Sequence, residues 1–225
     1  MQQLLSNIKI NVNEKVFIKD PETSDLGKKI IEESIVLLAA MGFEQFTFKK
    51  LGERIGSNES SIYRYFENKH KLLVYLTSWY WGWVEYKLAF GTSNITNSVE
   101  KLKRAITIIT QENEDDLTTQ HVNEALLHNI IVSEFTKTLL TKQVDEENKD
   151  GYFLVFKRVI YRLSEIISEI NPEYTFSKSL ASTIVLGALS QQFMADHLKT
   201  ITNCDQPKLL NDFYINLALN TIKDK

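Results

Sequence analysis

Between positions 59 and 69 the chain carries Glu59, Ser60, Ser61, Tyr63, Arg64, Tyr65 and Lys69, interleaved with apolar Ile62 and Phe66. If Ile62 and Phe66, at i and i+4, dock a short helix on a core, then Glu59, Ser60, Ser61, Tyr63 and Arg64 turn outward. The chemistry of that face is recognition by hydrogen bonding rather than bond breaking. Arg64 offers a forked donor that fits guanine O6 and N7, and small serines allow close approach to a groove floor. Thr47, Ser61, Tyr63, Tyr65 and Lys69 supply hydroxyl and ammonium groups suited to phosphate oxygens. Glu59 is the odd member. Its carboxylate favours the helix dipole but repels phosphates, so it should accept from cytosine N4 or be held aside by a base such as Arg64.

Other constellations carry less. His121, Glu124 and His128 fall at i, i+3 and i+7, a spacing that can hold a metal, but no fourth ligand is evident and a solvated or hydrogen-bonded face is expected instead. No metal and no cofactor is therefore assigned. The chain lacks a P-loop, a dinucleotide glycine fingerprint, HExxH and a Cys-His nucleophile pair, which argues against an enzyme. Trp79, Trp83 and Tyr86, with Phe135 and Phe156 from later segments, are expected mainly in a core. Their polar tips would also suit a pocket for an apolar or aromatic effector.

The elements that position these residues read as helices. Ser24 or Asp25 can cap a first helix bearing Leu26, Ile30, Ile31, Ile35, Leu38 and Met41, closed by Gly42. Thr47 caps a second with Phe48, Leu51 and Ile55, stopped by Gly56, and Asn58 caps a third. A long fourth helix runs from about Asn68 to Gly91. Asn97 with Glu100 marks a helix to about Gln111, followed by an acidic break at 112–116. Residues 118–141 read as one broken or two short helices and 145–150 as a loop. A helix from Tyr152 to Ile170 ends before Pro172, and two more run from about Phe176 to Thr202 and from Pro207 to Ile222. Residues 1–23, with alternating Ile8, Ile10 and Val12, read as an arm or weak hairpin. Its Lys9, Lys15 and Lys19 are balanced by Glu14, Asp20 and Glu22, so packing on the adjacent domain is expected.

Three short helices with a tight glycine turn, then a long one, describe a helix-turn-helix unit. Gly42-Phe43, Thr47, Leu51-Gly52, Ile55-Gly56, Ile62-Tyr63-Arg64-Tyr65-Phe66 and Lys69 through Leu72-Leu73 resemble, in order and spacing, the N-terminal domain of TetR-type bacterial transcriptional regulators. The resemblance covers about the first third of the chain. It departs at Ser57-Asn58, where the family usually has Val-Ser, and at Tyr65, where histidine is frequent. It implies phosphate contacts at Thr47, Tyr63, Tyr65 and Lys69. It also implies a homodimer, for which Leu180, Ile184, Gly187, Ala188, Gln191, Leu210, Phe213, Tyr214 and Leu217 on the last two helices are the candidate interface, against an intrachain core as the alternative.

The composition agrees. The 225 residues include 43% hydrophobic residues but only 8 Gly and 3 Pro, which favours helices over turn-rich β architectures. Cys204 is the single cysteine, and no apolar run reaches membrane-spanning length, so a cytoplasmic protein without a membrane partner is expected. The net charge of −3 lies mostly beyond residue 75: residues 24–75 hold 8 basic and 7 acidic side chains, residues 76–225 hold 15 and 19. The fold expected is all-α, with an arm at 1–23, a DNA-binding domain at 24–70 and a helical effector-binding and dimerisation domain at 71–225. The function expected is a ligand-responsive regulator, a repressor on a double-stranded, pseudo-palindromic operator. The rivals are an all-α interaction protein with a degenerate DNA domain and, last, an enzyme.

Overall fold

The computed structural model describes residues 10–111 and 121–223. Ile8, Lys9, the acidic break at 112–116 and the start of the segment at 118 lie outside the described residues. The described chain is all-α: α1 (Asp25–Gln45), α2 (Phe48–Ile55), α3 (Glu59–Tyr63), α4 (Lys69–Thr92), α5 (Ser98–Thr110), α6 (Glu124–Glu134), α7 (Thr136–Leu139), α8 (Val144–Lys149), α9 (Leu154–Ile170), α10 (Ser177–His197) and α11 (Pro207–Ile222), with short 3-10 turns between some of them. No strand occurs among the described residues. Two compact units form, one from residues up to Gly82 with those from 121 to Leu154, the other from Trp83 to 111 with Val155 onward.

In the first unit, caps set the helix starts. Ser24 Oγ accepts from Gly27 N–H at 3.2 Å, Thr47 Oγ1 from Lys50 N–H at 3.3 Å and Asn68 Oδ1 from Lys71 N–H at 2.9 Å. Gly42 adopts φ 71°, ψ 166° inside α1 and kinks it, a conformation glycine reaches without penalty. The core joins Ile30, Ile31 and Ile35 of α1 to Phe46, Leu51, Ile62, Phe66, Leu72 and Leu76. Phe46 is fully buried in that core, whereas Phe43 is half-buried. Helix α6 packs on α1 and buries Leu127, Ile130 and Ile131.

The described part of the arm, from residue 10, contains no hairpin. It makes 3-10 turns at Glu14–Val16 and Pro21–Thr23, capped by Asn13 and Asp20. Val16 is buried, the Phe17 ring meets Tyr75 edge-on, and Ile18 N–H donates to Tyr65 O at 2.8 Å. The expected loop at 145–150 is instead helix α8. Asp145, Glu146 and Glu147 occupy its first turn, where the helix dipole favours them, and buried Glu147 meets His70 Nε2 at 2.8 Å.

In the second unit, Asn97 Oδ1 caps α5 through Glu100 N–H at 3.0 Å, and Leu102, Ala105, Ile106 and Ile109 face α10 and α11. Asn211 Oδ1 accepts from Thr107 and Thr110 at 3.1 and 3.2 Å, which fixes α11 against α5. Glu85 on α4 receives Arg158 and Arg162 from α9. Gly91 does not close α4, which ends at Thr92; a Cβ there would lie 2.7 Å from Ile108 Cδ1, so the small residue serves packing.

Candidate nucleic-acid interface

Helices α2 and α3 form the turn foreseen. Phe48, Leu51 and Ile55 anchor α2, and Gly56 ends it in the left-handed region at φ 70°, ψ 34°. Two residues later Asn58 starts α3 by accepting Ser61 N–H at 3.0 Å. Ile62 and Phe66, both 0% exposed, hold α3 down.

That anchoring leaves Glu59 half-buried, Ser61 half-buried, and Ser60, Tyr63 and Arg64 exposed. The Tyr63 ring packs edge-on against Phe48 at 5.0 Å, and its hydroxyl donates to Glu59 Oε1 at 3.2 Å. Desolvation raises the Tyr63 phenol above its ordinary pKa and the Glu59 charge adds to this, so the donor stays protonated. Glu59 is thus restrained by Tyr63 and not by Arg64. Ser60 and Ser61 both donate their hydroxyl hydrogens to Asn58 Oδ1, each at 2.7 Å. The Arg64 side chain makes no hydrogen bond or ion pair among the described residues. The same holds for exposed Lys49, which sequence reasoning passed over and which lies two residues beyond exposed Thr47.

Two expected phosphate contacts are corrected. Tyr65 is 3% exposed, and its hydroxyl lies 2.8 Å from Ser24 Oγ and accepts from Lys19 Nζ at 3.4 Å. A buried ring whose hydroxyl ties the arm and the α1 cap to α3 is a positioning residue. Lys69 Nζ donates to the carbonyls of Phe43, Glu44 and Phe46 at 2.9, 3.2 and 3.3 Å and lies 4.5 Å from the centre of the Phe43 ring. The open carbonyls after the Gly42 kink claim its three donors, as the C-terminus of any helix attracts cations.

The other expected groupings are dispersed. His121 Nε2 meets Glu22 at 2.9 Å and His128 Nδ1 meets the Tyr80 hydroxyl at 2.8 Å, while Glu124 is buried at the start of α6, so the trio shares no centre. No group of metal-ligating residues occurs among the described residues. Trp79 and Phe135 are buried in the first unit, and Trp83 is buried in the second. Tyr86 and Phe156, also in the second unit, are half-buried, and Tyr86 stacks on Phe90. A cleft of about 100 Å³ in the second unit is lined by none of these five but by Leu88, Thr92, Lys101, Arg162 and their neighbours on α9. Of the candidate interface residues, Leu180, Ile184, Ala188, Leu210 and Tyr214 are core instead, because their stripes face α5 and each other. Gly187 abuts Tyr214, Gln191 and Leu217 are half-buried, and Phe213 is exposed.

Residues 30–76 match the family model of the bacterial regulatory proteins, tetR family. No curated protein matches the sequence significantly. Among solved structures, a bacterial regulatory protein in the tetR family from Rhodococcus RHA1 shares 13% identity over 90% of this chain and 100% of its own, with a TM-score of 0.63. The fatty acid degradation regulator FadR from Bacillus halodurans shares 20% over 88% and 96%, with 0.59. AibR in complex with isovaleryl coenzyme A and operator DNA shares 16% over 84% and 97%, with 0.58. At these identities the likeness is one of fold, and the family match belongs to one segment: residues 30–76 carry the N-terminal domain of the bacterial regulatory proteins of the tetR family.

Proposed function

We propose that the chain is a ligand-responsive repressor that binds a pseudo-palindromic operator as a homodimer. The observation that carries the reading is the division of α3: Ile62 and the following Phe66 are fully buried, while Ser60, Tyr63 and Arg64 are exposed on a helix entered from a glycine turn. That is the geometry by which a second helix enters a major groove. Thr47 and Lys49 at the start of α2 contact the phosphates, Arg64 reads guanine, and Tyr65 and Lys69 support them from beneath.

Two such helices read one operator when their centres stand about 34–36 Å apart, so dimer geometry is the switch. Since five of the candidate interface residues are used in the core, the second copy covers exposed Leu186, Leu209 and Phe213 on α10 and α11. A small apolar or aromatic effector favours a dimer with the wrong spacing and acts through α4, whose residues contribute to both units. Reversing the equilibrium needs about 5 kcal/mol of differential affinity. The similarly folded AibR, solved with isovaleryl coenzyme A, and the fatty acid degradation regulator FadR make acyl compounds the first set to try. The protein acts in the cytoplasm and performs no catalysis; no helix among the described residues is long and apolar enough to cross a membrane.

The test is a gel shift with genomic fragments followed by a reporter fused to the bound promoter. Retarded fragments, a reporter derepressed when the protein is removed, and release by an acyl compound are expected. Retardation of all fragments alike, or none, contradicts the reading.

A further inference from the structure

The hydroxyl hydrogens of the recognition helix have fixed directions. Asn58 Oδ1 receives the backbone N–H of Ser61 at 3.0 Å, which an amide NH2 cannot do, so the orientation of the Asn58 amide follows from the cap itself. Against the same oxygen lie Ser60 Oγ and Ser61 Oγ, each at 2.7 Å, and an amide oxygen has no hydrogen to give. Both serines therefore donate inward. Tyr63 does the same, its hydroxyl donating to Glu59 Oε1 at 3.2 Å. What Ser60, Ser61, Tyr63 and Glu59 leave for an incoming duplex is lone pairs.

Resting on the DNA-binding reading above, we infer that Asn58 makes the first turn of α3 an acceptor surface, which selects base pairs by which strand carries the exocyclic amine. Phosphates, thymine O4 and guanine O6 and N7 are themselves acceptors and gain nothing from it. The major-groove donors are cytosine N4 and adenine N6. Every base pair has one such amine, so the surface does not distinguish A·T from C·G. It distinguishes A·T and C·G from the same pairs turned over. Arg64, at the other end of α3, is the donor in the set and specifies guanine separately. Asn58 is thus a positioning residue for specificity: it touches no base and sets the polarity of the serines that do.

The experiment is selection of duplexes from a randomised library by the full-length protein. The wild type should enrich a half-site in which one or two adjacent columns hold adenine and cytosine interchangeably on one strand, beside a guanine column. Asn58→Gly keeps an acceptable cap but frees both hydroxyls, so those columns should lose their strand preference while the guanine column persists. Asn58→Asp keeps the acceptor and should keep the columns at lower affinity. In the selected duplex, replacing the base that bears the amine by purine or 2-pyrimidinone should weaken wild-type binding about tenfold and Asn58→Gly binding far less. Thermal melting of both variants confirms that they fold. Columns that pool adenine with thymine, or cytosine with guanine, overturn the inference while leaving DNA binding intact, as do columns unchanged in folded Asn58→Gly. Enrichment of no sequence overturns the inference and the DNA-binding reading together.

Discussion

Glu134, on α6, accepts the backbone N–H of Phe43 through Oε1 at 2.9 Å, at the residue that follows the kink of α1 at Gly42. Its Oε2 lies 2.8 Å from Lys137 Nζ, and Lys137 also reaches Glu44 at 3.0 Å. Its hydrogen bonds to both carboxylates, Glu134 first, hold the Lys137 ammonium above its ordinary pKa. The Glu134 carboxylate is 9% exposed, so removing it leaves a partly buried N–H without that partner. Glu134→Ala should lower unfolding free energy by about 2 kcal/mol in a urea titration. Glu134→Gln, which keeps the acceptor, should lose less.

The buried hydroxyl of Tyr65 sets up a contrast with Arg64. Tyr65→Phe should cost about 1 kcal/mol of stability and leave the salt dependence of DNA binding unchanged, because the hydroxyl bonds to Ser24. Arg64→Ala should leave the melting temperature unaltered and cost about 1–3 kcal/mol of operator affinity, with relaxed specificity at one base step. Melting curves and gel shifts at several salt concentrations separate the two roles.

Acid should loosen the first unit in a defined way. Burial alone would raise the Glu22 carboxyl, but hydrogen bonds from His121 and Tyr75, with the charge of Lys28, hold it below its ordinary value. A carboxyl depressed by folding contributes stability above its unfolded pKa and loses it as pH falls through the folded one. Glu22→Gln should therefore flatten the fall in melting temperature below about pH 4.5 relative to wild type. Parallel acid limbs would contradict it.

In the second unit, a Cβ on Gly187 would lie 2.4 Å from the Tyr214 hydroxyl. Burial has already pushed that phenol up to about 12, with Cys204 contributing. Gly187→Ala must separate α10 from α11 or turn the ring, and should cost about 1–3 kcal/mol by thermal or urea unfolding. Gly187→Ala with Tyr214→Phe should recover part of that loss.

Much of this molecule is written locally. The caps at Thr47, Asn58 and Asn97 are read from residue type and spacing, and all three are made; of the two candidates Ser24 and Asp25, Ser24 is the cap. The helix-turn-helix follows from the same signals, because Gly56 and the Ile62, Phe66 pair act within one turn of themselves. Where the chain misleads, distant partners decide. Lys69 looks like a phosphate ligand until the α1 carbonyls, over twenty residues back, take its donors. Tyr65 looks exposed until Ser24 and the arm cover it. Helix α8 has too few apolar residues to announce itself, and its Glu147 is placed by His70. An apolar stripe such as Leu180, Ile184 and Ala188 shows that a face is buried but not by which helix, so core and dimer interface look alike in one dimension.

The arm extends this point. Asn13 Nδ2 donates to Asp150 O at 2.7 Å, Lys15 pairs with Asp150 at 2.7 Å, and Ile18 N–H holds Tyr65 O. Deleting residues 1–20 also exposes the site of Val16 and Phe17. It should lower the melting temperature by several degrees and weaken operator binding through loss of order at Tyr65. An unchanged melting temperature would show that the arm is a passenger.

The central claim is that α3 reads a duplex in the register of a dimer. Nuclease footprinting of the full-length protein on a genomic fragment it retards tests this most directly. One protected tract is expected, with two inverted half-sites whose centres are about 10–10.5 base pairs apart, lost in Arg64→Ala. Protection without inverted symmetry, or a footprint that survives Arg64→Ala unaltered, contradicts it.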